Sequence, residues 1–289
     1  MVSPCRRAAD TIQAGPPGGS PSAPGVGAWL PKKRIIPCVL PLILFACWQA
    51  ATSSGFAPEY LLPSPRTVWE TVCAYMGAPS EGYADAYAGR FWGDLSASLG
   101  RVGSGYLLAV IPGVALGLAS GRSPALAGLL SPVINGVRAV PGISWLPLAL
   151  LWLGIGFRAT VFLIALAGFF PAYLNAAAGA ASVPPVLIRA GRMLGFGRRA
   201  VFFRVVIPSA MPQIRTGLRV ALGMSFSYLV LGELTGVPDG LGAMIMDARL
   251  AGRVDLLVSG IILIALVGWL CDVLLMKVLS AASVSLRRQ

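Results

Sequence analysis

The 289-residue sequence contains no histidine and little charge of either sign. Without His, acid–base catalysis through an imidazole and metal ligation by His are excluded. Lys occurs only at positions 32, 33 and 277, and none of these ends a GxxxxGK[ST] loop, so the chain has no P-loop of its own for ATP. The five Cys, at positions 5, 38, 47, 73 and 271, form no CxxC pair and indicate neither a disulfide framework nor a zinc site. We therefore expect no metal, no cofactor and no enzymatic activity.

Apolar residues dominate the composition. Hydrophobic residues make up 56% of the chain and charged residues 12%, and the mean hydropathy is +0.76. About a quarter of the residues of a soluble domain are charged, and several runs here approach or exceed the roughly 20 apolar residues that cross a bilayer. The net charge of +12 is spread between these runs, so membrane topology explains it better than nucleic-acid binding does. The sequence predicts an all-α, polytopic membrane protein.

The order of apolar runs predicts a topology. Residues 1–34, rich in Gly, Pro, Ser and Ala, are expected to be a disordered cytoplasmic tail, and 35–289 a transmembrane domain. Lys32, Lys33 and Arg34 directly precede the first run, which favours an uncleaved first span and a cytoplasmic N-terminus. An even number of spans returns the C-terminus to the cytoplasm. The six predicted spans are about 35–51, 99–120, 125–153, 160–175, 214–234 and 256–276.

The segment 52–97 is polar and net negative, which places it outside. Within it, LLPSPRTVWETV (61–72) predicts a Pro-fixed turn and a short amphipathic helix, with Ser64 or Thr67 as the cap. The second span carries small residues at spacings that let helices approach closely, so we expect helix packing there first and pore lining second. These residues are Gly103, Gly105, Gly113 and Gly117.

Ionisable residues inside the apolar runs are candidates for a transport pathway or gate. The third span is interrupted by Pro141 and contains Arg138, and the fifth ends with Glu233. A charge at membrane depth faces protein or water rather than lipid. Arg138, Pro141 and Glu233 are therefore the pathway or gate candidates. A position of Arg138 at the inner membrane interface stays open.

The loop 176–213 is strongly basic, with five Arg and no acidic residue. Within it, apolar residues recur at helical spacing on one arc of roughly 120°, while Arg189 and Arg192 point the other way. Gly195 and Gly197 are expected to end this helix, and Pro208 to open the next apolar run. The residues of the arc are Val186, Leu187, Ala190, Met193 and Leu194. Charge and periodicity alone fit either an ordinary cytosolic loop or a docking surface.

This loop resembles the cytoplasmic EAA loop of ABC-importer membrane subunits. That signature runs EAA, three residues, Gly, nine residues, then I-x-L-P, and here the three places are filled by Arg189-Ala190-Gly191, Gly195 and Val205-Val206-Ile207-Pro208. Further stretches are similar to permeases of the nitrate, sulfonate and taurine importer group, over about Leu61 to Lys277. They include LPSPRTVWETV, SLGRV (98–102), SPVINGVRAVP (131–141), GELTG (232–236) and DGLGAMIMDAR (239–249).

The resemblance implies a type I ABC-importer (MetI-like) permease fold in the cell inner membrane. Two copies would form the pathway for a nitrate-, sulfonate- or taurine-like anion, two cytoplasmic ATPases would dock on the loops, and an extracytoplasmic binding protein would deliver substrate. The implied ATPase-coupling residues are Val186, Leu187, Arg189, Ala190, Gly191, Arg192, Met193, Leu194, Gly195, Val205, Ile207 and Pro208.

One position departs from the family pattern, because Arg189 stands where the family usually has Glu. A partner with a different facing charge and a more weakly binding loop both stay open. The alternative function is an ion-coupled secondary transporter or channel that works without an ATPase. Such a protein needs membrane-buried ionisable residues for coupling.

Overall fold

The computed structural model describes residues 32–55, 58, 60–77 and 87–287, and all regular structure in these residues is helical. A 3₁₀ turn, Gly142–Trp145, precedes α5, and a π-helical turn, Phe202–Val206, joins α8 to α9. The helices are α1 Lys32–Ser53, α2 Pro65–Met76, α3 Phe91–Arg122, α4 Pro124–Ala139, α5 Leu146–Leu153, α6 Phe157–Ala181, α7 Pro185–Met193, α8 Arg198–Val201, α9 Ile207–Glu233, α10 Leu241–Leu250 and α11 Val254–Arg287. The all-α fold class is confirmed.

Length and composition qualify α3, α6 and the part of α11 up to Ala281 as membrane spans. Helix α4 and residues 142–153 together make a fourth candidate span, which is broken by a bend of 88° between the two parts. The predicted fifth span, 214–234, coincides with α9, which is too polar to qualify because it carries Arg215, Arg219 and Glu233. The described apolar part of α1, Val39–Ser53, is short for a span.

The chain divides into a first unit ending at Cys47 and a second unit running from Trp48. In the first unit, α1 begins at Lys32, so the last three residues of the predicted tail 1–34 are helical. The rest of that predicted tail lies outside the described residues. Large apolar side chains between Val39 and Phe45 are exposed, as a lipid-facing helix surface requires.

In the second unit, α6 packs between α3 and α9, and glycines permit its close approach to α3. A Cβ at Gly117 would lie 2.5 Å from the carbonyl oxygen of Tyr173, and Gly105 and Gly113 meet α6 at similarly short distances. A Cβ at Gly103 would meet no described heavy atom within 4 Å. The helix-packing interpretation is therefore confirmed for Gly105, Gly113 and Gly117, and for Gly103 it stays a prediction.

Helix α2 begins as the sequence predicts. Ser64 is the N-cap, its hydroxyl accepts a hydrogen bond from the Thr67 backbone N–H at 3.2 Å, and Pro65 occupies the first turn. The buried face of α2 packs on α11 near α10, through residues that include Val72 and Tyr75. After Glu233 the chain turns and forms α10, whose first turn is buried. This packing brings the polar residues of α3, α9 and α10 together.

Candidate functional site

Helix α7 has two apolar faces. One is buried, because Ile188 and Gly191 face a cluster that contains Val201 and Val206. The other is the predicted arc, and it is exposed: Met193 is 86% exposed and Leu194 74%, with Val186, Leu187 and Ala190 also exposed. A folded chain in water rarely leaves so many adjacent large apolar side chains uncovered. This face therefore has the character of an interface.

Two arginines flank the exposed apolar face of α7. Arg189 and Arg192 are exposed, and neither makes an ion pair with another described residue. Their guanidinium groups add cationic hydrogen-bond donors along one edge of the face. The helix thus presents an apolar strip with a basic rim.

The C-terminus of α7 is closed by a Schellman motif. The Phe196 N–H donates to the Gly191 carbonyl and the Gly195 N–H to the Arg192 carbonyl, at 3.1 and 3.0 Å. Gly195 has a φ of +82°, the left-handed conformation that this motif requires and that favours glycine. Arg204 lies over the Phe196 ring at 5.3 Å and fixes the chain beyond the turn. The predicted helix end at Gly195 is confirmed.

The remaining predicted coupling residues support α7 from behind. Val205, Ile207 and Pro208 are half-buried at the junction with α9, outside the exposed face. The Ile207 N–H donates to the Phe202 carbonyl, five residues earlier, because a wide π-helical turn precedes Pro208. Pro208 lacks an N–H, and its ring would crowd the carbonyl four residues earlier in a regular α-helical turn. The structure thus divides the predicted set into an exposed apolar face on α7 and a half-buried group behind it.

A cavity of about 320 Å³ lies between the bend that joins α4 to α5 and the facing sides of α6 and α9. Its lining is mostly apolar and includes Arg138, the Tyr228 phenol and the Asn175 amide. The other lining residues are Val140, Gly142, Trp145, Leu166, Ala167, Phe170, Pro171, Leu174, Val220 and Met224. Small-molecule sites in proteins have this character: concave, mostly apolar and furnished with a few polar groups.

The three pathway candidates occupy different places. Arg138 lines the cavity, and Pro141 lies in the exposed bend between two lining residues, Val140 and Gly142. Glu233 is fully buried away from this cavity, at the C-terminal end of α9. Only Arg138 therefore brings a charge into the cavity.

Glu233 belongs to a buried ionic cluster that the sequence analysis did not identify. Its carboxylate accepts hydrogen bonds from Arg101 Nη1 at 2.7 Å, from the Ser98 hydroxyl at 2.8 Å and from the Gly242 N–H at 2.8 Å. The Arg101 guanidinium also binds the Asp239 side chain. These contacts join α3, the end of α9 and the first turn of α10, where a carboxylate is favoured by the helix dipole.

A second carboxylate extends the cluster towards α2. Asp94 accepts hydrogen bonds from the Tyr75 hydroxyl at 2.7 Å and from the Gly240 N–H at 3.0 Å. Gly240 has a φ of +115°, and a Cβ there would lie 2.5 Å from Glu233 Oε1, so the position requires glycine. Burial and the hydrogen bond to Asp94 raise the pKa of Tyr75 above its usual range.

The signal for this cluster was present in the motifs SLGRV, GELTG and DGLG. The three motifs were recognised separately, but nothing in the sequence states that they meet. The predicted second span, 99–120, begins after Asp94 and Ser98, whereas α3 starts eight residues earlier, at Phe91. Burial of paired polar groups is invisible to a hydropathy pattern.

These features define a class. Long apolar helices, a cavity beside α6 and α9, and an amphipathic helix with an exposed apolar face are features of a membrane transport subunit. The chain belongs to the family described as binding-protein-dependent transport system inner membrane component, whose pattern matches residues 113–282. It is a permease subunit of the ABC-importer type, as the sequence predicts.

Several relatives match most of the chain. The taurine transport system permease protein TauC of Escherichia coli (strain K12) is 38% identical over 233 residues, covering 81% of this chain and 82% of that protein. The putative aliphatic sulfonates transport permease protein SsuC of Bacillus subtilis (strain 168) is 33% identical, with 81% of each chain covered. The nitrate import permease protein NrtB of Leptolyngbya laminosa is 31% identical, with 84% and 85% covered.

A solved structure shares the fold. The chain is similar to a chain from the MetNI methionine ABC transporter in an inward-facing conformation, with a TM-score of 0.52 and 19% sequence identity. The match covers 66% of this chain and 93% of that chain. It confirms the MetI-like fold.

Proposed function

We propose that this chain forms the membrane pathway of an importer for a small anion of the kind named for its relatives: taurine, aliphatic sulfonates or nitrate. In this proposal two copies work with two cytoplasmic ATPases and an extracytoplasmic binding protein. The six spans predicted from the sequence cross the inner membrane, and both termini lie in the cytoplasm. The observation that carries the proposal is the exposed apolar face of α7, held rigidly at the base of α9.

The exposed face supplies the ATPase contact. Met193 and Leu194 are its most exposed large side chains, and covering a fully exposed Leu or Met contributes roughly 1.5–3 kcal/mol. Arg189 and Arg192 lie beside them with no acidic partner among the described residues. An ATPase groove with an apolar floor and a carboxylate at its rim fits this surface. Arg189 then pairs with an acid where most family members present one.

The buried face transmits motion. Ile188 anchors α7 in the core cluster, and a Cβ at Gly191 would lie only 3.4 Å from Val205 Cγ2, so the helix sits directly against the turn that leads into α9. Packed elements of this kind move together as rigid bodies rather than deforming continuously. Since α9 lines the cavity with Val220, Met224 and Tyr228, movement of α7 reaches the pathway.

Recovery of the ATPase with permease variants tests this contact. We expect Leu194→Asp to lower co-purification of the ATPase at least tenfold, and Arg192→Ala to lower it less, because the apolar face dominates binding. Leu250→Asp is the matched control, since Leu250 is 75% exposed, like Leu194, but lies at the end of α10. Equal ATPase recovery with Leu194→Asp and Leu250→Asp would refute the docking assignment.

Uptake measurements test whether α7 and its turn transmit movement to the pathway. We expect Gly195→Pro, or removal of residues 186–196, to abolish uptake while membrane insertion survives. Pro at position 195 cannot adopt the positive φ of the Schellman turn. Normal uptake by the Gly195→Pro variant would contradict the proposal.

The ion-coupled alternative has little support in the described helices. Glu233 and Asp272 are each engaged by an arginine, Arg101 and Arg219 respectively, at 2.7 and 2.8 Å. A coupling carboxylate has to exchange its proton or cation during transport. Uptake by this chain alone in proteoliposomes, without an ATPase, would favour the alternative.

A further inference from the structure

We propose that the cavity itself selects for negative charge and that Arg138 is its specificity-determining residue. Discrimination by charge would then occur inside the permease, in addition to any selection by a binding protein. The inference deepens the proposed function and rests on it for the transport readout only, because the electrostatic preference of the cavity is measurable without transport.

The cavity lies beside the middle of α6 and the second half of α9. At about 1.5 Å per residue, Leu166 to Asn175 lie about 14 to 27 Å along the roughly 37 Å of α6. Val220 to Tyr228 lie about 20 to 32 Å along the roughly 40 Å of α9. The bend of 88° after α4 inserts irregular backbone at the same level. Broken helix at membrane depth is tolerated where it is buried in protein or lines a water-filled cavity.

Arg138 is the charged residue of the cavity lining, and it has no counter-ion among the described residues. The acids of the described spanning helices are already engaged: Glu233 by Arg101, Asp272 by Arg219, Asp94 by Tyr75 and Arg90, and Asp255 by Arg253. Within the described residues Arg138 has neither an ion pair nor a hydrogen bond, and the lining contains no acid. An uncompensated positive charge therefore faces the cavity.

The remaining lining suits a small oxyanion. The Tyr228 hydroxyl makes no hydrogen bond with the described residues and is free to donate. One Asn175 N–H donates to the Pro171 carbonyl at 2.9 Å, which leaves the second N–H of the amide for a ligand. A guanidinium presents paired N–H donors that match two oxygens of a sulfonate, nitrate or carboxylate group. The apolar walls strengthen this attraction by lowering the local dielectric constant.

Charged thiol reagents measure the preference directly. In a full-length chain whose five cysteines are replaced by Ser, Asn175→Cys places a reporter in the cavity wall. Its rates of reaction with an anionic and a cationic methanethiosulfonate of similar size are compared in membranes. With Arg138 present we expect the anionic reagent to be favoured by roughly tenfold, the effect of one charge a few ångströms away on reagents of opposite sign.

Variants assign the preference to Arg138. The ratio of rates should fall towards one in Arg138→Gln and Arg138→Met and be retained in Arg138→Lys. Arg158→Gln is the matched control, because Arg158 is also exposed but lies outside the cavity, at the start of α6. A ratio that is unchanged by both neutral substitutions, or a reporter that reacts with neither reagent, would overturn the inference.

Uptake separates this inference from the proposed function. With the ATPase and binding protein present, taurine, methanesulfonate and nitrate serve as probes. We expect Arg138→Gln to lower uptake at least tenfold while the binding protein still stimulates ATP hydrolysis, and Arg138→Lys to recover much of the uptake. If the wild-type importer takes up none of these probes while the reagent ratio still depends on Arg138, the anion preference is supported and the proposed transport is refuted.

Discussion

Arg101 Nη1 donates to Glu233 Oε1 at 2.7 Å between two side chains that are at most 5% exposed. This contact fixes α3 to the end of α9, and the Gly242 N–H extends it to α10. Both partners come from motifs separated by more than a hundred residues. The cluster therefore holds the end of α9 that lies opposite α7, so α9 is anchored at one terminus and coupled at the other.

We predict that Glu233→Ala lowers the free energy of unfolding by up to about 3–5 kcal/mol, because it removes the fully buried partner of the Arg101 guanidinium and leaves the half-exposed Asp239 as the remaining counter-ion. Replacing both residues, by Arg101→Met and Glu233→Leu, should recover part of this loss. Thermal unfolding in detergent is the measurement. Glu70→Ala is the control, since its pair with Arg66 is exposed and should matter little. A wild-type melting temperature for Glu233→Ala would refute the prediction.

The two glycines of α7 and its turn should respond oppositely to alanine. At Gly191 a Cβ would find ordinary van der Waals contact, so Gly191→Ala should stabilise the helix by about 0.5–1 kcal/mol. At Gly195 the backbone is left-handed, so Gly195→Ala should cost about 1–2 kcal/mol. Unfolding midpoints of the two variants in detergent test the difference. Equal shifts in both would contradict the Schellman assignment.

The bend before α5 is packed tightly against α9. A Cβ at Gly142 would lie 1.5 Å from the Tyr228 hydroxyl oxygen, so Gly142→Ala should displace that ring, reshape the cavity and abolish most uptake. Tyr228→Ala in the same chain should relieve the clash, and a double-mutant cycle measures the coupling. Gly136→Ala, on α4 with nothing within 4 Å, is the control. Full uptake by Gly142→Ala would contradict the prediction, because it would mean that the backbone at the bend shifts and leaves the Tyr228 ring in place.

The buried phenol of Tyr75 should make stability fall at high pH. Burial and the Asp94 hydrogen bond raise its pKa in the folded state above the unfolded value of about 10. The folded state thus holds this proton more tightly than the unfolded state does. The stability that the protonated phenol contributes is complete below about pH 10 and is lost as the pH rises further. The slope is at most about 1.4 kcal/mol per pH unit. Between about pH 9 and pH 11, the free energy of unfolding should therefore change less with pH in Tyr75→Phe than in wild type.

Apolar runs in the sequence locate most of the long helices, because a span must satisfy its backbone internally and cover its surface with apolar side chains. The same logic does not reveal that α3 extends eight residues before the predicted span, to Phe91. Ser98 and Arg101 are buried together with Glu233, and only the three-dimensional pairing makes that burial favourable. A cluster assembled from residues distant in sequence leaves no local periodicity to detect.

Helix α7 shows the opposite limit of prediction from sequence. Its largest apolar arc, which includes Met193 and Leu194, is exposed, whereas the residue that anchors it in the core is Ile188. A helical wheel ranks faces by their apolar content and cannot tell which one the same chain covers. The motif adds a second indication of where the helix ends, because its glycine falls on Gly195, where the structure has the turn.

The uncovered arc of α7 also bears on the life of the protein in the cell. If α7 docks on an ATPase as proposed, a newly made copy without that ATPase exposes Met193 and Leu194, and exposed apolar surfaces of this kind engage chaperones and proteases. Binding of the ATPase would bury the arc and stabilise the copy by mass action. Under the proposed docking, copies without an ATPase would be degraded faster, and the abundance of the permease would follow the supply of the ATPase.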